Sequence, residues 1–337
     1  MSLATWHFHI EISSKCTLRC PRCARQEVPD SLVNTELDLG FFKRNFTPGF
    51  ILANIEKITF CGDDGDPIYA HDLIPVISYI KSIKPVEIVI ITNGSHKKPE
   101  WWQELGNVLT EYDTVHFSID GYDNASNNLY RVNSDFDSII NGVKELRASS
   151  KCRIVWAAIA FKFNELYINS MQNLARQLDM DAFQLTRSTK FGSIYPGYGV
   201  NDPLEPSVKY VSGSHRFERD IIQLSPRGLN DTVNKKNIEL YRLVNEINGV
   251  KPLCSIGNKG LYIDARGRLF PCCWVANRYS HNNEWQMIAE RFNLNNRTLT
   301  DVLTDKFWQT ELQTFRWQEC QTKCATGKVD EKYATEW

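Results

Sequence analysis

Between residues 6 and 186 a short β-prone run followed by an amphipathic helical stretch recurs five times, and a sixth strand ends the series. The runs read as strands are 6–12, 56–60, 87–92, 114–119, 153–161 and 182–186, with helical periodicity over 39–46, 73–83, 100–110, 136–148 and 167–178. Such alternation implies a parallel sheet with right-handed crossovers. The strands also have two faces. Trp6, Phe8, Ile10 and Ile12 alternate with His7, His9 and Glu11; Val115, Phe117 and Ile119 with His116, Ser118 and Asp120; and Phe183 and Leu185 oppose Gln184 and Thr186. A sheet covered by helices on both faces reads as nearly continuous apolar sequence. One polar face fits helices outside and a ligand cavity inside. The sequence therefore predicts an α/β fold, a partial (β/α)6 TIM-like barrel over residues 1–190, in preference to a doubly wound sheet.

At 337 residues the chain exceeds what one core commonly fills, so a second, smaller domain is expected. After Arg187 the pattern breaks into KFGSIYPGYGVNDPLEPS, a turn-rich stretch read as the start of a linker or lid over 191–250, with a helix near 235–248. Residues 260–264 and 268–272 read as a hairpin turned at Ala265-Arg266-Gly267. A last helix, near 299–315, completes a small Cys-rich α+β domain over 251–337. The 39 basic and 40 acidic side chains nearly cancel, which excludes a whole-chain field that would draw nucleic acid or an anionic membrane. The nine tryptophans read as packing, because basic residues do not cluster beside them. No secretory signal or membrane-length apolar run is present, so a cytoplasmic protein is expected. In that compartment ten cysteines point to metal chemistry rather than disulfides.

Cys16, Cys20 and Cys23 follow the first strand in CTLRCPRC, separated by three and then two residues. From spacing alone an iron–sulfur cluster competes with a zinc site, which usually needs four closed ligands, and with a thioredoxin-type pair, which needs only two. C-x3-C-x2-C after an amino-terminal strand resembles the signature of the radical S-adenosylmethionine (SAM) superfamily, and the likeness extends over the first 190 residues or so. The resemblance implies a 4Fe-4S cluster on these three cysteines, with the fourth iron left to chelate SAM. It also implies reductive cleavage of SAM to a 5'-deoxyadenosyl radical that abstracts a hydrogen atom from substrate. FCGDDGDPI at 60–68 is similar to the family's glycine-rich acidic loop after strand two, with Asp66 where glutamate is commoner. By this likeness Gly62, Asp64, Gly65 and Asp66 meet the methionyl end of SAM. Thr92 and Asn93 in ITNGS, and Ser118 and Asp120 in FSIDG, are the landmarks after strands three and four, and Arg131 is the partner offered to the SAM carboxylate. All of these fall at carboxyl ends of strands, where α/β barrels build their sites.

Cys254 and Cys272 flank Gly267, and Cys320 and Cys324 follow near the end, an arrangement similar to the auxiliary-cluster extensions called SPASM and Twitch. The five cysteines of this tail suit the shorter Twitch form. They imply a second 4Fe-4S cluster on Cys254, Cys272, Cys320 and Cys324, which would transfer electrons or brace the substrate pocket. By spacing, four cysteines also suit structural zinc, and Cys273 is an alternative to Cys272. Cys61 and Cys152 read as small hydrophobes. His9, Glu11, Gln184 and Thr186 are read as cavity lining, and no general acid or base is identified. The substrate expected is a small molecule or nucleotide, since no leader-binding domain precedes the barrel. A radical SAM enzyme that modifies peptide or protein side chains is the alternative, and a non-catalytic zinc or iron–sulfur protein is the reading from another class. A flavodoxin- or ferredoxin-type reductant is the partner implied.

Overall fold

A computed structural model describes residues 6–27, 29–186, 188, 191, 202–207, 217–218, 261–279 and 289–306. Its strands are β1 (Trp6–Ile10), β2 (Ile55–Phe60), β3 (Glu87–Thr92), β4 (Thr114–Ser118), β5 (Arg153–Ile159), β6 (Ala182–Thr186), β7 (Phe217–Glu218), β8 (Leu261–Ile263) and β9 (Leu269–Phe270). The helices are α1 (Ala24–Glu27), α2 (Leu39–Asn45), α3 (Pro48–Asn54), α4 (Leu73–Ile83), α5 (Pro99–Val108), α6 (Asn124–Asn128), α7 (Phe136–Ser149), α8 (Ile168–Gln177), α9 (Cys273–Tyr279) and α10 (Leu299–Leu303). The fold class is the expected one, α/β with a mostly parallel open sheet of the TIM-like type. The described residues divide into two compact units, one drawn from Met1–Lys15, Asp30–Ile88 and Leu224–Trp337, the other from Cys16–Pro29 and Val89–Gln223.

In the first unit β1 pairs in parallel with β2 on one side and with β8 on the other, and β8 turns back antiparallel into β9. The predicted hairpin is present but shorter. Its turn is closed by Gly267 N–H donating to the Asp264 carbonyl at 2.8 Å, with Gly267 at φ +79°, a backbone conformation glycine adopts without strain. The parallel pairing of β8 with β1 has no sequence signal, because three buried residues carry no period. The helix expected over 39–46 is α2, and a second helix not expected from the sequence, α3, follows it before β2. Asp38 caps α2 by accepting from Phe41 N–H at 2.6 Å, and Pro48, which has no N–H to continue the ladder, opens α3 behind the Thr47 cap. The two helices deliver Phe41, Phe42, Phe46 and Phe50 against Phe8 and Phe60 of the strands, with facing ring centroids 5.1–6.4 Å apart. This aromatic layer is the core of the unit.

In the second unit β3, β4, β5 and β6 pair in parallel in sequence order, with β7 added antiparallel. The two-faced reading holds here. Val115, Phe117, Trp156, Phe183 and Leu185 are fully buried, with Trp102 of α5 lying 5.0 Å from Phe117. On the other face Ser118, Ala157, Ile159 and Thr186 are only half-buried. The cross-strand rows run Ser118–Ala157–Gln184 and Ile159–Thr186, so Gln184 shares the polar face with Ser118. No helix among the described residues is long and apolar enough to cross a membrane. Residues 190, 250 and 251, where the domain boundaries were expected, lie outside the described residues, as do the helix expected near 235–248 and the last helix beyond residue 306.

Candidate active site

The cysteine loop belongs to the second unit. Cys23 N–H donates to the Cys20 carbonyl at 3.1 Å, closing a turn that leads into α1. The loop is tied down by Arg19 N–H to the Val132 carbonyl at 2.9 Å and by Asn133 Nδ2 to the Thr17 carbonyl at 2.8 Å. Buried Leu18, Cys20, Tyr130 and Phe161 form one cluster, against which Cys16, Cys23, Ile159, Phe163, Phe191 and Leu204 pack. All three thiols therefore share one apolar, aromatic cup. Asn93 Nδ2 reaches Cys16 Sγ at 3.8 Å, joining the TNG turn to the loop. That turn is built by Thr92 Oγ1 accepting from Gly94 N–H and Asn93 Oδ1 from Ser95 N–H, each at 2.9 Å.

Asp120 is wholly buried, and both carboxylate oxygens are engaged: Oδ2 accepts from Arg131 Nε at 2.6 Å and Oδ1 from Ile159 N–H at 2.7 Å. Its backbone is held too, by Asn127 Oδ1 accepting from Asp120 N–H at 3.0 Å and by Asn164 Nδ2 donating to the Asp120 carbonyl at 2.8 Å. The carboxylate thus points Arg131 at a fixed place beside Cys20. Burial works to neutralise Arg131, but the Asp120 carboxylate and then Cys20 outweigh it and hold the guanidinium charged. Burial in turn pushes the Cys20 thiol up, with Arg131 pulling it down. Of the cysteine loop's neighbours, Asn127, Asn164, Tyr130 and Phe161 carried no sequence signal, since they act through contacts with distant residues.

Ser118, Gln184 and Thr186 belong to the second unit, and the first unit holds His9, Glu11, the 62–66 loop and Cys272. Buried Glu11 accepts at Oε1 from Asp64 N–H at 2.7 Å and Gly65 N–H at 2.9 Å, so its carboxylate organises the 62–66 loop from within. A side chain at Gly65 would place Cβ 2.0 Å from the Ser13 carbonyl oxygen, so the loop lies directly on the chain that continues β1. Asp66 accepts at Oδ1 from Ile68 N–H at 3.2 Å and donates its N–H to the Lys15 carbonyl at 2.9 Å. Burial raises the Glu11 carboxyl well above the usual range, and the Asp64 and Asp63 carboxylates add to it. His9 pairs across the sheet with Tyr262, rings 5.0 Å apart, and burial takes the imidazole down to about 4, which leaves it neutral at pH 7. Among the described residues the buried Tyr262 hydroxyl has no hydrogen-bond partner, and burial, then Asp63, Glu11 and Cys61, raise it. Cys272 stands before α9 beside buried Cys273, whose thiol is raised by burial, Asp63, Cys272 and Cys61. Cys254, Cys320 and Cys324 lie outside the described residues.

Three thiols in an apolar cup, with one anchored cation alongside, suit an iron–sulfur cluster, which carries net negative charge on its thiolates. Among the described residues no three His, Cys, Asp or Glu side chains converge on a single ion.

Residues 10–160 match the family model described as the Radical SAM superfamily, a span that contains the cysteine triplet, the 62–66 loop, both later turns and Arg131. Among solved structures, SuiB of Streptococcus suis bound to S-adenosylmethionine superposes with a TM-score of 0.60 at 16% identity, covering 97% of this chain and 72% of that one. The same protein bound to its precursor peptide SuiA gives 0.58 at 16% identity, over 98% and 71%. The protein anSMEcpe with bound AdoMet and a Kp18Cys peptide gives 0.52 at 14% identity, over 95% and 86%. A protein of Brachyspira hyodysenteriae described as GTPase Obg is 28% identical over 188 residues, and the matched part spans 53% of this chain but only 27% of that one. The present sequence contains no Gly-x4-Gly-Lys-Ser/Thr phosphate loop.

Proposed function

We propose, from the premise that residues 10–160 form a radical SAM domain, that this chain is an enzyme whose cluster is held by Cys16, Cys20 and Cys23. Bound there, a 4Fe-4S cluster and SAM supply reductive cleavage to methionine and a 5'-deoxyadenosyl radical that takes a hydrogen atom from substrate. The observation that carries the reading is the cup itself: three thiols seated on Tyr130 and Phe161, with an Asp120-anchored guanidinium beside them. The protein's own part is positional. Tyr130, Phe161 and Leu18 exclude water from the cysteine loop, Asn93 orients Cys16, and Asp120 keeps Arg131 charged and aimed. Ser118, Gln184 and Thr186 offer hydrogen-bonding groups on the polar face of the same unit and are assigned to substrate. In the first unit Glu11 shapes the 62–66 loop, assigned to the amino group of SAM by its likeness to the family's loop.

The substrate class best supported is a peptide, because two of the similar folds hold peptide ligands; a small molecule or nucleotide is the second reading, favoured by the sequence. A second 4Fe-4S cluster on Cys254, Cys272, Cys320 and Cys324 is proposed from their spacing, together with a flavodoxin- or ferredoxin-type reductant and a cytoplasmic location. Anaerobic reconstitution tests the whole. The expected result is about eight irons per chain from two 4Fe-4S clusters, about four of them lost in a Cys16→Ala/Cys20→Ala/Cys23→Ala variant, and 5'-deoxyadenosine formed on adding SAM and a strong reductant. Zinc in both sites and no nucleoside product would remove the proposal.

A further inference from the structure

Arg22 sits between the second and third cysteines, yet its side chain is only 3% exposed. Its Nη2 donates to Asp202 Oδ2 at 2.7 Å, a carboxylate with no solvent exposure that lies 180 residues further along the chain. The other Asp202 oxygen accepts from Leu204 N–H at 3.0 Å, and the Asp202 carbonyl from Glu205 N–H at 3.2 Å, so one side chain folds residues 202–205 into a turn. The turn is fastened at two more points, Lys162 N–H to the Leu204 carbonyl at 3.1 Å and Ser207 N–H to Glu165 Oε2 at 2.7 Å. Leu204 then packs into the cluster that holds all three cysteines.

A leucine alone would cover apolar surface without fixing what lies beneath it, because hydrophobic contact is non-directional. An ion pair in a dry interior is directional, and stripping it of one partner is costly. Its effect here is to hold Arg22, and with it the Cys20–Cys23 turn, at one depth. We propose that residues 202–207 are the outer wall of the cluster site and that Asp202 is its positioning residue. Acting through Arg22, it holds the Cys20 and Cys23 sulfurs in place and keeps water and dioxygen from the iron. The proposal rests on the assignment of a 4Fe-4S cluster to Cys16, Cys20 and Cys23.

The test compares the full-length wild type with Asp202→Asn, Asp202→Glu and Leu204→Ala. Asp181→Asn serves as control, since it breaks the Arg147–Asp181 pair of the same unit away from the cysteine cluster. After anaerobic reconstitution, iron content, the decay of the visible cluster absorbance in air, and amide hydrogen exchange over residues 16–27 are measured. Asp202→Asn and Leu204→Ala are expected to lose absorbance about tenfold faster than wild type through local opening, with faster exchange confined to that segment. Asp202→Glu should recover part of the lifetime, and Asp181→Asn should leave it unchanged. If Asp202→Asn fails to fold, Leu204→Ala carries the test alone. Equal lifetimes in the variants and wild type, or equal acceleration by Asp181→Asn, overturn the inference. A wild type that takes up no iron defeats the cluster assignment instead. Hydrogen exchange on the metal-free protein then still decides whether Asp202 positions the loop, and unchanged protection would overturn that too.

Discussion

Replacing Glu11 separates its two physical roles, acceptor and charge. Its Oε1 accepts from the amides of Asp64 and Gly65, at 2.7 and 2.9 Å, in a site closed to solvent. Glu11→Ala leaves both donors unmatched, at about 1–3 kcal/mol each. Relief of repulsion from Asp64 and Asp63 offsets part of that, so the net loss should be about 2–4 kcal/mol. Glu11→Gln keeps an acceptor at the same atom and removes only the charge. The folded protein raises the Glu11 pKa above its ordinary 4.5, so it binds this proton more tightly than the unfolded chain does. The stability contributed is therefore fullest below about pH 4.5 and declines as pH rises through the folded-state value. Glu11→Gln lacks that decline, so it should stand within about 1 kcal/mol of wild type near the ordinary carboxyl pKa and gain on it as pH rises toward the folded-state value. Urea midpoints followed by tryptophan fluorescence at several pH values measure this directly. Equal losses in the alanine and glutamine variants, or a glutamine-to-wild-type difference flat in pH, would refute the account of Glu11 as a buried, charge-strained brace.

Three further outcomes are expected. Gly65→Ala forces Cβ to within 2.0 Å of backbone at Ser13 and should cost about 3 kcal/mol or more by urea denaturation, so a variant as stable as wild type would contradict the loop geometry. His9, held at about 4 in the folded state against 6.5 ordinarily, contributes stability that is complete above pH 6.5 and lost as pH falls toward 4, at most about 3 kcal/mol; an NMR titration midpoint for its ring above 6 would exclude this. Asp264→Asn strips Arg268, 1% exposed and held at 2.6 and 2.7 Å, of its counter-charge and should cost about 3–5 kcal/mol. Asp305→Asn, at the more exposed Arg291 and Arg297 pairs, should cost under about 2 kcal/mol. Similar losses for the two would show that burial does not set the difference.

The legible parts of this protein were those written in local periodicity and spacing. Alternation of Phe117 with Ser118, or Phe183 with Gln184, is a property of a strand's own geometry, so the polar face could be read before any partner was known. The cysteine triplet was equally local, since eight consecutive residues bring three thiols into one loop. The SIDG turn marks the opposite limit. Its sequence placed Asp120 at a strand end, but that both oxygens go to Arg131 and the Ile159 amide, leaving the guanidinium to stand beside Cys20, follows from side chains that meet only after the strands are packed. The second helix at Pro48 is signalled locally as well, by the proline and its threonine cap.

By itself, then, the sequence determined the strand–helix order, the face that would be polar, and the thiol set, because each depends on neighbours within a few residues. Tertiary structure alone decided that a three-residue strand would settle in parallel beside β1. It also decided that Glu11 would reach across to brace the 62–66 loop and that Asp202 would pair with Arg22 from 180 residues away. Those choices turn on desolvation: a carboxylate or an amide has many possible partners along a chain, and only burial, which penalises every unmatched one, selects among them.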